Sequence, residues 1–227
     1  MAKDIGLKLL DTIPQIKDKI NKALAGMINK VIIKNREILT KELRALVKQW
    51  VSEQPEMVEL SKSGPGTLSS ELGLVAGTEA IITDKIIQNI VSSVDIEITT
   101  VSSNLKKGGI TFHCQPSDFM GLLNMPEGFV RTKVAAKLPW LRWLLLEGYK
   151  PIIVGYSYEM SPGKGRSKGG VMEEGGSWRV PPAHAGTADN NFITRAFASR
   201  SKEIQKLVQK HLGSQHGNIR SIQPKRY

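Results

Sequence analysis

Residues Gly163 to Gly170 read GKGRSKGG, glycines interleaved with Lys164, Arg166 and Lys168. That composition resembles a phosphate cradle, in which backbone amides and a lysine bind the anion. The spacing does not fit. A Walker loop closes on Gly-Lys-Ser/Thr and opens a helix, whereas Lys168 is followed by Gly169 and Gly170. A dinucleotide fingerprint, Gly-x-Gly-x-x-Gly, needs its third glycine one residue before Gly169. What remains is a hairpin tip facing water or a polyanion. Lys164, Arg166 and Lys168 are therefore the expected contact loop for DNA or a partner.

Three other groups carry reactive side chains. His113 and Cys114 are neighbours in an alternating segment, and adjacent strand residues point to opposite faces. They share neither a ligand nor a proton easily, so Cys114 reads as a buried structural thiol. His184, His211 and His216 have no metal-ligand spacing with a second cysteine or a carboxylate. Glu173 and Glu174 read as a solvated pair in a loop, not as an acid and base held apart. No nucleophile elbow, zinc motif or Ser-His-Asp order is present. The expectation is a chain without cofactor, metal or catalytic residues.

The elements around these residues begin with a long amphipathic run. From Thr12 to about Glu53, Ile16, Ile20, Leu24, Met27, Val31, Leu39, Leu43, Leu46 and Trp50 recur at steps of three and four, or sums of them. Thr12 followed by Pro14 starts a helix. About 40 residues give a rod on the order of 60 Å, continuous or divided near Ile32–Glu37. A chain this small does not cover such a rod, so part of its apolar face is expected to meet another chain or a long groove. The Ser61–Gly73 segment reads as an exposed turn. A short helix over Thr83–Val94 has Thr83 as its N-cap, and the strand from Val94 puts Val94, Ile96 and Ile98 on one face. After a hairpin loop the chain returns at Ile110–Pro116. Leu138–Gly148 is a helix, Lys150–Met160 a strand, and a glycine-rich excursion returns to a strand near Ser177–Val180. One last helix runs from about Phe192 to Leu212 and stops at Gly213.

The chain has 227 residues, 40% hydrophobic and 23% charged, with a formal net charge of +11. Its core needs no staples. The basic excess points to a polyanion or to acidic protein surfaces nearby. A single cysteine fits synthesis in a reducing cytosol, and the charged N-terminus is not a signal peptide. No apolar window reaches the roughly 18 residues of a membrane span. Nucleic-acid motifs are missing and only 6% of residues are aromatic, which disfavours base stacking on a platform.

The second half carries an order of motifs. RWLLLEGYKPIIVGY ends a tryptophan-bearing segment in Glu147-Gly148; a glycine-rich hairpin follows, then SWRVPPAHAGTADNNFITRAF and a helix rich in lysine and glutamate. With the long first helix and the GPGTLSSEL turn, this resembles the tail-completion or neck proteins of long-tailed bacteriophages. Pro181, Pro182, Ala183, Phe192, Ile193, Arg195 and Ala196 stand where that family has its proline turn and last helix. Glu147-Gly148 replaces the family's acidic-Phe-Gly step. The insert Ala185–Asn190 and the segment FHCQPSDFMGLLNMPEGF have no counterpart there.

The resemblance implies an α+β subunit, a small mostly antiparallel sheet packed with helices and preceded by a long N-terminal helix or helical hairpin. The division expected is a long helix over 1–60, an α+β domain over 61–213 and a basic tail over 214–227. It implies a structural virion protein, made in the host cytoplasm, that forms a homo-oligomeric ring, commonly a hexamer. Its partners are head-side portal or adaptor proteins, the tail terminator or tail tube and sheath, and genomic DNA passing through the lumen; no membrane is involved. Interface candidates are Trp143, Glu147 and Trp50, and Arg220, Lys225 and Arg226 are the expected contacts of the chain's own C-terminal tail. Trp140, Leu141, Leu144 and Leu145 are expected to pack on the sheet that begins at Ile152. A non-enzymatic, sequence-independent nucleic-acid-binding protein using its basic surface is the alternative.

Overall fold

The computed structural model describes residues 11–114, 119–132 and 136–213. Ile13–Ser52 form one unbroken α-helix, α1. At its start Gln15 Oε1 accepts hydrogen bonds from Thr12 N (2.8 Å) and Thr12 Oγ1 (2.9 Å), and Pro14 occupies the first turn. No break occurs at Ile32–Glu37, a run without glycine or proline. Asn35 there donates to Val31 O within the helix and to His211 O at the other end of the chain.

The second half of α1 is the spine of the core. Leu39, Leu43, Val47, Trp50 and Val51 are buried along one side. Three helices pack on it: α4 (Glu79–Ser92), α7 (Phe192–Phe197) and α8 (Ser201–Leu212). From α4, Ile86, Ile87 and Ile90 enter the cluster, and Arg44 donates twice to Val94 O, at 3.1 and 2.9 Å, where the chain leaves that helix. α8 is clasped from outside. Lys210 donates to both oxygens of Glu42, and His211 Nε2 lies 3.0 Å from it. Lys210, then His211, hold the Glu42 carboxyl below its usual range. That contribution is therefore present above the ordinary carboxylate pKa and is lost as pH falls through the lowered one.

Among the described residues all strand pairing is antiparallel, giving an α+β fold. The strands make three separate two-stranded ribbons rather than one sheet: β1 (Asp95–Thr99) with β2 (Gly109–His113), β3 (Val130–Arg131) with β4 (Lys137–Leu138), and β5 (Ile153–Met160) with β6 (Gly170–Trp178). Val94, Ile96 and Phe112 bury the first ribbon on the core. Two short helices, α2 (Pro55–Leu60) and α3 (Leu68–Glu71), close one side, and α5 (Met120–Leu123) adds Leu122. α6 (Trp140–Arg142) runs on as a π-helical turn, Trp143–Glu147. One hydrophobic cluster runs from Leu39 to Leu207 and crosses the boundary expected at residue 60.

Several expectations need correction. Thr83 is not an N-cap: α4 begins one turn earlier, behind Thr78, and the Thr83 hydroxyl donates to Glu79 O in a buried turn. The Ser61–Gly73 segment is not an exposed turn, because α3 lies within it and Leu68, Ser69, Ser70 and Leu72 are buried. β6 starts at Gly170, not near Ser177, so Glu173 and Glu174 are strand residues opposite Ser157 and Tyr156. The last helix is two. The chain turns between them at Ser199, whose φ of +63° no continuing helix allows.

Candidate functional site

Of the three basic residues at the hairpin tip, only Arg166 has its side chain tied to another described segment of the chain. The tip folds back on α3. Ser70 Oγ lies 2.7 Å from Tyr158 Oη and 3.0 Å from Ser167 Oγ, and Tyr158 Oη donates to Gly169 O. A Cβ at Gly169 would overlap Ser70 and Gly64 O, so this approach needs glycine. Arg166 is exposed but tied to the chain: its guanidinium donates to Arg131 O and its carbonyl accepts from Ala76 N. Lys164 and Lys168 are also exposed, and their ammonium groups bond to no described residue. The backbone of the tip is clamped where Ser70 of α3 meets Tyr158 and Ser167 of the hairpin, while the two lysine side chains stay at the surface.

Trp143 and Trp50 are core residues, which corrects their reading as interface candidates. Trp143 is 8% exposed and packs on Trp178, with ring centroids 5.8 Å apart. Trp50 is 1% exposed, meets Phe197 edge-to-face at 6.1 Å and donates through Nε1 to Glu203 at 2.9 Å. Filled on their own side, neither indole has a face left for a neighbour. Glu147 stays at the surface in an ion pair with Arg142. Trp140, Leu141, Leu144 and Leu145 are buried, and Trp140 Nε1 donates to Glu127 O at 2.8 Å. Arg220, Lys225 and Arg226 lie outside the described residues.

His113 and Cys114 do not act together. His113 Nε2 lies 2.8 Å from Glu97 across the ribbon, while burial pushes the half-buried Cys114 thiol up to about 12. Such a thiol is protonated at neutral pH and is a poor nucleophile. Iodoacetamide at pH 8 is therefore expected to leave the native chain unmodified over an hour and to alkylate it fully in guanidinium. Mass spectrometry reads the difference; rapid labelling of the native chain would show the thiol to be open. Among the described residues no group of three or more His, Cys, Asp or Glu side chains is placed to hold a metal.

The first half of α1 is different. Only one side of it is held: Ala25 and Ile32 are buried, and Asn29 between them exchanges two hydrogen bonds with Val101, Nδ2 to O at 3.0 Å and N to Oδ1 at 2.7 Å. On another side Ile13, Ile20 (53% exposed), Leu24, Met27 (64%), Val31 and Ile38 stand in water. These positions follow a three-four alternation, the seam spacing of a coiled coil. The two places in that alternation without an apolar side chain are Lys17 and Lys34. Four of the six apolar members, Ile20, Leu24, Met27 and Val31, were legible in the sequence; Ile13, Ile38 and the seam lysines were missed because a 3.6-residue helix period places them at its margin. A 3.5-residue period, counted from Ile13, finds them.

No protein-family model, curated protein or solved structure matches this chain. No helix among the described residues is long and apolar enough to cross a membrane.

Proposed function

We propose that this chain is a structural subunit of a bacteriophage neck, a non-enzymatic ring component that joins head to tail. The observation that carries the reading is the α1 seam. Six large apolar side chains on a rigid rod, turned away from the chain's own core, are a surface for assembly. Its sequence support is the Glu147-Gly148 step, the proline turn at Pro181-Pro182 and the final helical segment, all resembling neck proteins.

The test is the double variant Leu24→Asp/Val31→Asp. Leu24 is 39% and Val31 42% exposed, so the circular dichroism spectrum is expected to stay that of the folded parent and the unfolding free energy from urea melts to fall by no more than about 1–2 kcal/mol. In a phage lysate complemented with the variant, joined particles are expected to fall at least tenfold, with free heads and tails accumulating in electron micrographs. Normal joining would overturn the role of the seam. Absence of the protein from the head–tail junction of intact particles would overturn the neck assignment itself. The +11 charge supports a second reading, sequence-independent nucleic-acid binding through the basic surface. Its signature is affinity for duplex DNA that falls steeply with salt and ignores the seam variant.

A further inference from the structure

We propose that the α1 seam is the docking site for an α-helix of a different protein, one that sets acidic side chains opposite Lys17 and Lys34. The inference deepens the assembly reading above and rests on it.

Three observations carry it. The seam is narrow: it follows positions three and four apart. On one flank the next positions, Asn21, Ala25, Ile28 and Ile32, are turned at least partly into the molecule; on the other stand Ala23, Lys30 and Glu37, with Ile33 the one further large apolar residue exposed on this half of the helix. A strip of that width suits a partner helix, whereas a membrane surface calls for a broad apolar face. Duplex DNA takes the lysines but leaves Leu24, Met27 and Val31 wet. Next, Lys17 and Lys34 are exposed and bond to no described residue, while their neighbour Lys19 is paired with Asp11 at 2.6 Å. Among the described residues the two seam cations are unmatched.

The third observation concerns a second copy. A parallel in-register pair of α1 helices stacks Lys17 on Lys17 and Lys34 on Lys34. An antiparallel pair centred between Leu24 and Met27 brings Lys17 against Lys34 at both ends. In both arrangements that align all the apolar members, two like charges meet at each of two layers, which is destabilising. A heptad shift avoids part of this only by leaving apolar members unpaired. The seam rejects itself and accepts its charge complement. The complement is specific: two carboxylates about 25 Å apart along a helix, with apolar residues at the layers between.

The probe is a fluorescent peptide covering residues 13–38 of this chain with Lys17→Glu and Lys34→Glu, titrated against the full-length protein. Whichever way the peptide runs, it sets both glutamates against lysines. Anisotropy is expected to report binding at least tenfold tighter than for the unsubstituted peptide. The preference should shrink in high salt and disappear with the Leu24→Asp/Val31→Asp protein. Equal or tighter binding of the unsubstituted peptide would make a second copy the occupant and overturn the proposal. Seam-dependent binding of phosphatidylglycerol vesicles or a 30-base-pair duplex, with no binding of either peptide, would overturn it in favour of lipid or DNA. Silence from every probe would also overturn it, whereas the neck assignment is judged separately, by where the protein sits in the particle.

Discussion

Changing Arg195 to alanine is expected to remove about 3–5 kcal/mol of folding stability, the cost of leaving a buried carboxylate without its counter-charge. Glu56 on α2 is 1% exposed, and its partner is the Arg195 guanidinium on α7. Arg195 is itself held in place by Asn190 Oδ1 at 2.8 Å. The second Glu56 oxygen is buried with no partner among the described residues, so nothing else in the site takes over when the guanidinium leaves. The measurement is a urea midpoint at unchanged slope. Adding Glu56→Gln to the Arg195→Ala chain removes the orphan charge and is expected to return roughly 1–2 kcal/mol. A loss under 1 kcal/mol for Arg195→Ala, or no recovery in the double variant, would mean that water reaches Glu56.

Trp50→Ala is expected to be comparably severe, about 3–5 kcal/mol. The indole is the hub between the end of α1 and the last two helices. It packs edge-to-face on Phe197, lies under the Arg200 guanidinium at 5.3 Å and bonds Glu203. Truncation leaves a void at a junction of three helices, which relaxes poorly. Trp50→Phe keeps most of the ring and loses the hydrogen bond, with an expected cost of about 1 kcal/mol. The contrast matters for function. If Trp50 served a neighbour instead, alanine would weaken association while leaving the urea midpoint of the isolated chain unchanged.

Much of this architecture was readable because it is periodic. The helix over Thr12–Glu53 came from side-chain recurrence alone, and the Val94–Ile98 alternation came from the two-residue period of a strand. The errors arose where composition misleads. Gly169 to Gly176 look like loop, yet most of them are ladder residues of β6, since β5 supplies their hydrogen bonds and Gly175 and Gly176 take positive φ where the register shifts. Ser199 hides a turn that a helical pattern runs straight through. The Glu56–Arg195 pair and the Ser70–Tyr158–Ser167 hydroxyls were invisible, because each joins residues far apart in the chain whose local surroundings say nothing of the partner. Trp50 and Trp143 show the limit for a site. An aromatic residue has the same local signature in a core as at an interface, and only the packing around it tells them apart.

The placing of α8 against α1 has a further effect during synthesis. Glu203, which Trp50 contacts, is made 153 residues later. At about 5–20 residues per second, that is a wait of roughly 8–30 s on the ribosome. Through that interval the ridge Leu39–Leu43–Val47–Trp50 lacks the cover that α7 and α8 supply, so the nascent chain keeps an adhesive stripe until α8 emerges.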